Sequence, residues 1–373
     1  MLSDSQIFSA SDYAYMSQAL KLAERGLYTT SPNPRVGCVI VKNNRVIGSG
    51  WHERAGQPHA EINALGSADD TVRNATVYVT LEPCSHYGRT PPCAEALIKA
   101  GVARVVMAML DPNPLVAGNG VARLRDAGIM VQSGLLEEQA SALNIGFVSR
   151  MTRHRPWVRL KIAASLDGKT ALENGASQWI TSESARLDAH RLRALSCAIL
   201  TGIGTVKKDD PQLTVRHVEA TRQPLRVVID SRLDIPANAK LLQGNKILIF
   251  TAVPDENRKK KLEEKGMKVI MLPTRDGKVD LTQMMVKLAD FEINEVLVEA
   301  GSTLAGALVQ EELVDELVIY LAPCLLGDKA QGMLNLPVLT RLSDKHKLEL
   351  TDVRMIGPDI RVAAKFSNLE LHD

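Results

Sequence analysis

The chain has 373 residues, more than a typical single core holds, so we expect two domains. Hydrophobic residues make up 45% and charged residues 24%, the ordinary balance of a soluble globular protein. The formal net charge of +2 and the 4% aromatic content argue against a nucleic-acid partner, because such binders usually carry a basic face and stacking aromatic residues. This charge is compatible with a small phosphorylated ligand.

The sequence also bears on the cellular compartment. No apolar run reaches the roughly 18 residues that span a bilayer, so we expect no membrane partner. The first residues, MLSDSQIFSASDYAYM, lack a basic segment before an apolar core and do not resemble a signal peptide. We therefore expect a cytoplasmic protein. The cytoplasm is reducing and the five cysteines are an odd number, so no structural disulfide is expected.

Helices and strands alternate through the first half of the chain. The pattern predicts a helix in DYAYMSQALKLAERG ending at Gly26, then a β-hairpin in VGCVIVKNNRVIGSG. A helix follows in PHAEINAL with Pro58 at its first position, then a strand in ATVYVTLE and a helix in PPCAEALIKAG opened by Pro92. RVVMAML, VARLRDAG and IMVQSG predict a strand, a helix and a strand. This alternation indicates an α/β domain over residues 1–150.

The alternation resumes after FVSRMTRHRPW, a charged stretch without a clear period that we interpret as a solvated linker. The pattern predicts a strand in WVRLKIAAS and an amphipathic helix in SESARLDAHRLRAL with Ser182 as its N-cap. Further strands are expected in AILTGIGTV, LRVVID, KILIFT, MKVIML, INEVLVEAG and ELVIYLAP, and a helix in TLAGALVQEEL. We expect a second α/β domain over residues 151–373. ELVIYLAP could be a buried strand or the interface of a homo-oligomer, and the sequence leaves both open.

The residues with the clearest chemistry lie in the first half. His59, Cys84 and Cys93 supply one imidazole and two thiolates, three ligands for Zn²⁺ with a fourth position open, as in catalytic zinc sites. Cys93 lies in the first turn of its predicted helix, where the helix dipole favours the thiolate. Glu61 follows His59 by two residues and is the expected acid and base. The order H-x-E, then P-C, then a second Cys is the signature of zinc nucleobase deaminases.

Three other interpretations of these residues fit the sequence less well. Unlinked core cysteines are disfavoured because histidine, glutamate and both cysteines occur in the required order. A nucleic-acid editing deaminase with an accessory domain shares the zinc site but should show a basic groove and stacking aromatic residues. A non-enzymatic zinc site needs a fourth protein ligand, which the sequence does not offer in a suitable place. Cys38, Cys197 and Cys324 lack a partnering motif and are predicted to lie in the core.

Longer motifs run through the chain. They are SPNPRVGCVIV, GWHERAGQPHAE and EPCSHYGRTPPC in the first half, and KIAASLDGKTA, SQWITS, TGIGTV, DDPQLTVR and VEAGSTLAGAL in the second. Together they resemble a bifunctional riboflavin-biosynthesis enzyme family, diaminohydroxyphosphoribosylaminopyrimidine deaminase / 5-amino-6-(5-phosphoribosylamino)uracil reductase. The resemblance covers nearly the whole chain. It implies a cytidine-deaminase-like first domain and a dihydrofolate-reductase-like second domain.

The resemblance implies two consecutive reactions on a small phosphorylated pyrimidine. The first domain would use one Zn²⁺ to deaminate 2,5-diamino-6-(5-phosphoribosylamino)pyrimidin-4-one hydrolytically. The second would use NADPH to reduce the ribosyl group to ribityl, and NADPH rather than NADH follows from the resemblance alone. It assigns zinc to His59, Cys84 and Cys93 and proton transfer to Glu61. It assigns the first substrate to Asn33, His52, His86 and Arg89, the last as the phosphate partner, a role that suits arginine.

The resemblance also assigns residues in the second domain. From spacing alone, TGIGTV lacks the third glycine of the dinucleotide fingerprint, and VEAGSTLAGAL fits either a plain strand–turn–helix or a phosphate site at a helix N-terminus. The implied NADPH contacts are Ala163, Trp179, Thr205, Asp209, Ser231 and a loop of Gly301, Ser302, Thr303, Leu304, Ala305, Gly306 and Ala307. The implied substrate contacts are Lys161, Ser177, Arg193, Leu213, Arg216 and Glu299. We interpret Asp167 as a turn residue.

Overall fold

The computed structural model describes residues 8–85, 92–114, 116–244, 246–274 and 276–366. The chain forms two compact units, Met1–His154 and Arg155–Asp373. Each unit is built from helices packed on one main β-sheet, so the predicted α/β class is confirmed. None of the helices in the described part of the chain combines the length and hydropathy needed to cross a membrane.

The first unit contains one sheet of mixed direction. Its five strands lie in the order β2-β1-β3-β4-β5, with β1 antiparallel to both neighbours and β3, β4 and β5 parallel. The elements are α1 (Ala10–Glu24), β1 (Gly37–Lys42), β2 (Arg45–Trp51), α2 (Ala60–Gly66), β3 (Thr76–Val79), α3 (Cys93–Ala100), β4 (Arg104–Met107), α4 (Asn119–Asp126), β5 (Met130–Ser133), α5 (Glu137–Leu143) and α6 (Ile145–Arg153). The predicted hairpin and the predicted helix–strand alternation of this half are therefore confirmed.

Side chains of this sheet alternate between two helical layers. Cys38 and Ile40 of β1 pack with residues of α2, α3 and α4. Val39 and Val41 point to the opposite face and pack with residues of α1 and α5. Because successive strand residues face opposite sides, both faces of β1 are apolar and the unit is a three-layer α/β/α structure. The layer containing α2 and α3 carries the residues of the predicted metal site.

A glycine lets α2 lie close to the sheet. A Cβ atom on Gly50 of β2 would lie 2.5 Å from the backbone nitrogen of Ala64 and 2.7 Å from the carbonyl oxygen of Ala60. A side chain there would therefore push α2 outward. This contact fixes the height of the α2 N-terminus over the sheet.

The second unit contains a nine-stranded sheet in the order β11-β10-β9-β8-β12-β6-β13-β16-β15. The seven strands from β11 to β13 are parallel, and β16 and β15 add an antiparallel edge. The elements are β6 (Trp157–Ser165), β7 (Lys169–Ala171), α7 (Glu183–Leu195), β8 (Ala198–Gly202), α8 (Ile203–Asp209), β9 (Leu225–Ile229), β10 (Ile247–Thr251), α9 (Glu256–Glu263), β11 (Lys268–Met271), α10 (Leu281–Asp290), β12 (Glu295–Val298), α11 (Ser302–Gln310), β13 (Glu316–Ala322), β14 (Gln331–Gly332), β15 (Leu348–Ile356) and β16 (Asp359–Phe366). ELVIYLAP forms β13 between β6 and β16, so it is an interior strand.

The strand order places a crevice at the carboxyl ends of β8 and β12. After β8 the chain proceeds to β9, β10 and β11 on one side, whereas after β12 it proceeds to β13 on the other. The connections that follow these two adjacent strands therefore diverge. In open parallel sheets, ligands bind where connections diverge in this way.

Two elements differ from the sequence predictions. The stretch interpreted as a linker lies largely in α6, where Gly146 and Ser149 are buried, because the helix begins at Ile145, before the charged residues that dominate the window. AILTGIGTV is not one strand: β8 ends at Gly202, which caps α8, and Val206 packs as part of a helical face. In both cases a tertiary contact overrides the local pattern.

Among the smaller expectations, some are confirmed and others are wrong. Cys38 and Cys197 are buried as predicted, but Cys324 is exposed because it lies beyond the end of β13. Pro58 precedes α2, whose first residue is Ala60. Pro92 is the N-cap of α3, so it opens this helix as predicted. The predicted N-cap of α7 is confirmed, since the Ser182 side chain accepts from the backbone of Ala185.

Candidate metal centre and cofactor crevice

Three side chains converge near the N-termini of two helices in the first unit. His59 is the N-cap of α2, Cys93 is the first residue of α3, and Cys84 lies after β3. Nδ1 of His59 lies 3.5 Å from Sγ of Cys84 and 3.3 Å from Sγ of Cys93. The three ligand atoms all lie within 4.8 Å of one another, and no other described carboxylate, thiol or imidazole joins the group. This donor set fits Zn²⁺ with one position open.

The two sulfurs are electrostatically different. Hydrogen bonding with Cys93, whose backbone N–H also donates to Sγ of Cys84 at 3.3 Å, lowers the pKa of Cys84 to about 4. The same sulfur–sulfur contact raises the pKa of Cys93 above its ordinary value. The pair therefore shares one proton. A divalent cation that replaces this proton stabilises both residues as thiolates, which is the form that binds metal.

Glu61 lies in the first turn of α2, beside the ligand group. Its side chain is 3% exposed and is hydrogen-bonded to Cys93. Burial raises the pKa of Glu61 to about 7. A carboxyl group with this pKa can both take up and release a proton near neutral pH, which is what a proton carrier in catalysis requires.

His52 connects Asn33 to the metal group. Nδ1 of His52 lies 3.1 Å from the carbonyl oxygen of Pro58, which can only accept, so Nδ1 carries the proton. Nε2 then accepts from the side-chain amide nitrogen of Asn33 at 3.1 Å. Burial lowers the pKa of His52 and keeps the ring neutral. This contact orients the Asn33 amide so that its oxygen is the acceptor for a ligand, and the His52 ring lies 5.4 Å from that of His59.

Two further predicted contacts of this site, His86 and Arg89, lie outside the described residues. The structure therefore gives no position for the predicted phosphate partner. The predicted residues that it does describe, Asn33, His52, His59, Glu61, Cys84 and Cys93, are brought together by the contacts above.

The sequence reasoning missed Glu82, which lies two residues before Cys84. Its side chain is 5% exposed. One carboxylate oxygen accepts from the backbone N–H groups of Asp111 at 3.2 Å and Gly118 at 3.0 Å, and the other from those of Gly120 at 2.8 Å and Val121 at 3.2 Å. Glu82 therefore ties the segment that holds Cys84 to the start of α4. In the sequence, the one sign of this role is that Glu82 is a carboxylate at the end of the apolar run ATVYVTLE.

In the second unit, the connections after β8 and β12 meet at the predicted crevice. Gly202 caps α8 and Gly301 caps α11. Oγ1 of Thr205 accepts from the backbone N–H of Gly301 at 3.2 Å, which joins the starts of the two helices. A Cβ atom on Gly202 would lie 3.2 Å from the Leu304 side chain. The N-terminus of α11 directs backbone N–H groups toward the crevice, which suits the diphosphate of a dinucleotide.

The stretch from Gly301 to Ala307 is not a loop. Helix α11 begins at Ser302, and Ala305 and Gly306 are buried within it. A Cβ atom on Gly306 would lie 2.2 Å from the carbonyl oxygen of Asn335, so the chain after β14 packs directly on this helix. Ala305 and Gly306 thus support the crevice, whereas the helix start faces it.

Three charged residues form a second predicted group. Lys161 comes from β6, Arg193 from α7, and Glu299 directly follows β12. The guanidinium of Arg193 donates to both carboxylate oxygens of Glu299, at 2.5 and 2.9 Å. Burial opposes the charge of Glu299, but Arg193 and Lys161 outweigh it and lower its pKa to about 2. Burial lowers the pKa of Lys161, whose Nζ lies 5.9 Å from the centre of the Tyr320 ring.

The segment after α8 borders this charged group. The backbone N–H of Arg216 donates to Nδ1 of His190 at 3.0 Å, and Arg193 also donates to the carbonyl of Thr214 at 3.1 Å. Leu213 is buried in this segment. Burial lowers the pKa of His190 to about 4, which keeps its ring a neutral acceptor. Arg216 is therefore held by its backbone while its side chain stays exposed.

The remaining predicted residues are distributed along the same unit. Ala163 lies on β6, Asp209 ends α8, and Ser231 follows β9. Ser177 and Trp179 lie between β7 and α7. The Trp179 side chain is 70% exposed, and the guanidinium of Arg186 lies over its ring, 4.7 Å from the ring centre. The structure thus places Ala163 on β6 and Ser231 just after β9, the two strands that flank the crevice, whereas Ser177 and Trp179 come from a separate segment.

Both halves of the chain match known protein families. The cytidine and deoxycytidylate deaminase zinc-binding region matches residues 9–109, and the RibD C-terminal domain matches residues 156–362. Riboflavin biosynthesis protein RibD of Escherichia coli (strain K12) is 49% identical over 361 residues, covering 94% of this chain and 98% of that protein. Its namesake in Haemophilus influenzae is 46% identical over 375 residues, covering 95% and 97%.

Solved structures agree with these matches. Acinetobacter baumannii RibD, form 1, superposes with a TM-score of 0.90 at 46% identity, covering 96% of this chain and 99% of that chain. A diaminohydroxyphosphoribosylaminopyrimidine deaminase/5-amino-6-(5-phosphoribosylamino)uracil reductase from Thermotoga maritima gives a TM-score of 0.84 at 33% identity, covering 95% and 99%.

Proposed function

This chain belongs to the family of the riboflavin biosynthesis protein RibD, and from that premise we propose which of its residues carry out each of two reactions. The protein is a bifunctional enzyme of riboflavin biosynthesis, a zinc-dependent deaminase and an NADPH-dependent reductase. Its substrate is a small phosphorylated pyrimidine. A nucleic-acid editing deaminase is not favoured, because the second half of the chain matches a reductase domain. The convergence of His59, Cys84 and Cys93 carries the assignment of deamination to the first unit.

In the deaminase unit, His59, Cys84 and Cys93 hold Zn²⁺. When bound there, Zn²⁺ would lower the pKa of a water molecule and so supply the nucleophile at neutral pH. Glu61 would take the proton from this water and deliver it to the leaving amino group, a role supported by its burial and its hydrogen bond with Cys93. Ammonia leaves and an oxygen replaces the amino group on the pyrimidine.

Other residues of this unit bind the pyrimidine ribotide. The amide oxygen of Asn33 accepts a hydrogen bond from the pyrimidine, and His52 holds that amide in the required orientation, as its 3.1 Å contact supports. His86 also contacts the substrate. Arg89 binds the phosphate, since its guanidinium presents two parallel donors.

In the reductase unit, NADPH supplies the hydride. The N–H groups at the start of α11 and the hydroxyl of Thr205 bind the diphosphate, which the contact between Thr205 and Gly301 supports. The proposed cofactor contacts are Ala163, Trp179, Thr205, Asp209, Ser231 and residues 301–307. Ala305 and Gly306 contribute by allowing α11 to pack against the chain beneath it.

The charged group beside the crevice binds the ribosyl phosphate substrate. The carboxylate of Glu299 accepts from the ribosyl hydroxyls, and the cations Lys161, Arg193 and Arg216 bind hydroxyls and phosphate. Two cations against one carboxylate in the buried group leave an excess positive charge, which favours an anionic ligand. Ser177 and Leu213 complete the proposed contacts.

We place the enzyme in the cytoplasm and propose that it forms a homo-oligomer. β15 is the edge strand of the nine-stranded sheet, and the side chains of Leu350, Val353 and Met355 on it are 63%, 57% and 61% exposed. An edge strand with exposed apolar side chains is a surface that a second copy of the chain can cover.

Unit-specific variants test the assignment of the two reactions. Cys93→Ser removes a ligand, so we expect loss of bound zinc and of ammonia release, with NADPH oxidation on the deaminated substrate unchanged. Arg193→Met should lose NADPH oxidation on the deaminated substrate and keep its bound zinc and its ammonia release. Cys324→Ser, in an exposed cysteine, is the matched control and should change neither activity. A Cys93→Ser enzyme that keeps its zinc and deaminates at the wild-type rate would show that the ligand set is wrong.

A further inference from the structure

A cleft lies beside the cofactor crevice, at the carboxyl ends of β9 and β10. Its volume is about 790 Å³, and Arg232, Asp234 and residues 253–258 line it. This volume is typical of sites for small molecules. β8, β9 and β10 are consecutive parallel strands, which lie about 4.8 Å apart, so the cleft begins one to two strands from the diphosphate position. The adenosine half of a dinucleotide bound at the crevice reaches this distance.

Two carboxylates of the cleft are already paired with cations. Asp234 lies 3.4 Å from Nζ of Lys207 and 3.2 Å from a guanidinium nitrogen of Arg258. The same guanidinium lies 3.4 Å from Asp255, the N-cap of α9. Their negative charge is therefore neutralised locally, and Arg258 is held in the wall of the cleft.

Arg232 differs from the other charged residues here. The third carboxylate, Glu256, lies 3.6 Å from Lys259 on its own helix. Arg232 is exposed at the cleft, and in the parts of the chain that the structure describes its guanidinium pairs with no carboxylate. Its backbone is fixed, because Arg258 donates to its carbonyl oxygen at 3.2 Å. The cleft thus contains an exposed arginine whose backbone is held by Arg258 and whose guanidinium forms no ion pair within the described parts of the chain.

We propose that Arg232 binds the 2′-phosphate of NADPH and thereby selects NADPH over NADH. The inference rests on the proposed binding of NADPH at the crevice and extends it to the adenosine end. A guanidinium matches a phosphate with two parallel donors. In sites selective for NAD, a carboxylate binds the ribose 2′-hydroxyl. Here Asp234, five residues after the end of β9, pairs with Lys207 and Arg258 and is not available for that hydroxyl.

Steady-state kinetics on the full-length enzyme test this proposal. With the deaminated substrate, Arg232→Gln should raise the KM for NADPH at least about tenfold and leave kcat unchanged, because a charge-assisted pair is lost in binding alone. The KM for NADH should not change. The matched control is Arg341→Gln, an exposed arginine already paired with Asp344, which should alter neither KM.

Fragment inhibitors give a second, independent measurement. In isothermal titration calorimetry without NADPH or substrate, adenosine 2′,5′-bisphosphate should bind the wild-type enzyme far more tightly than AMP, and Arg232→Gln should remove most of that preference. If the wild-type enzyme does not oxidise NADPH at all, the reductase function itself fails. If it does, but Arg232→Gln keeps the wild-type ratio of NADPH to NADH efficiency, the role of Arg232 is overturned while the reductase function stands.

Discussion

Glu82→Gln should loosen the segment that holds Cys84. The carboxylate accepts four backbone N–H groups, two on each oxygen. In glutamine one oxygen becomes an NH₂ group, which faces two donors and can accept from neither. Two hydrogen bonds to a charged acceptor are lost at about 1.5 kcal/mol each, so the free energy of unfolding should fall by about 3 kcal/mol.

The change is measurable by temperature and by amide exchange. For a unit of this size, a loss of about 3 kcal/mol lowers the melting temperature by roughly 6–12 °C. Hydrogen exchange followed by mass spectrometry should show faster exchange at Asp111, Gly118, Gly120 and Val121. Zinc should also pass to a chelator sooner, because the Cys84 segment is no longer tied to α4.

Glu95→Gln is the matched control for this variant. Glu95 lies 2.9 Å from Arg123, but both side chains are well exposed, at 37% and 46%. A surface pair of this kind contributes at most about 1 kcal/mol, so the control should melt within a few degrees of the wild-type enzyme. If Glu82→Gln shows the same melting temperature and exchange as Glu95→Gln, the reasoning about the buried carboxylate is wrong.

Two further predictions concern the reductase unit. Burial lowers the pKa of Lys161, so as pH rises this residue loses its proton below the ordinary lysine range, and the KM for the reductase substrate should rise over that alkaline range. Lys161→Arg stays protonated and should remove this alkaline rise in KM. An unchanged rise in the variant would exclude Lys161 as its source. The double variant Leu350→Lys, Val353→Lys should be monomeric in sedimentation velocity, whereas the wild-type enzyme should be oligomeric. A wild-type enzyme that is already monomeric would contradict that proposal.

The sequence predicted the features that depend on local patterns. The hairpin of β1 and β2 follows from strand periodicity and an Asn-Asn turn, and the N-cap of α7 follows from Ser182. The metal group was predictable because His59, Glu61, Cys84 and Cys93 occur in the order of the zinc-deaminase signature, although the loop between the two cysteines is longer than the usual P-C-x-x-C. These signals need no knowledge of the rest of the fold.

Features set by distant contacts were not predicted. Thr205 and Gly301 are 96 residues apart in the chain, so nothing local indicates that the Thr205 hydroxyl meets the Gly301 backbone N–H. Arg193 and Glu299 are 106 residues apart, and their pairing emerges only once α7 packs near the end of β12. The end of β8 at Gly202 was also missed, because the apolar run that predicts the strand continues into α8.

Other elements lack a clear apolar pattern. Helix α9 reads ENRKKKLE, and Leu262 is its buried residue, so its periodic signal is weak. β15 exposes most of its side chains, and its pairing with β16 includes a bulge that shifts the alternation. The sequence pattern of such elements is determined by the surface that they present rather than by the core.

The most direct test of the account measures metal, ammonia and NADPH on one preparation of the full-length enzyme. We predict one zinc per chain, ammonia release from the diaminopyrimidine ribotide, and NADPH oxidation only after deamination. Glu61→Gln should keep its zinc and its NADPH oxidation on the deaminated substrate, while ammonia release falls by about 10² to 10⁴-fold. Undiminished ammonia release by a zinc-loaded Glu61→Gln enzyme would contradict the assignment of Glu61 and of the site around it.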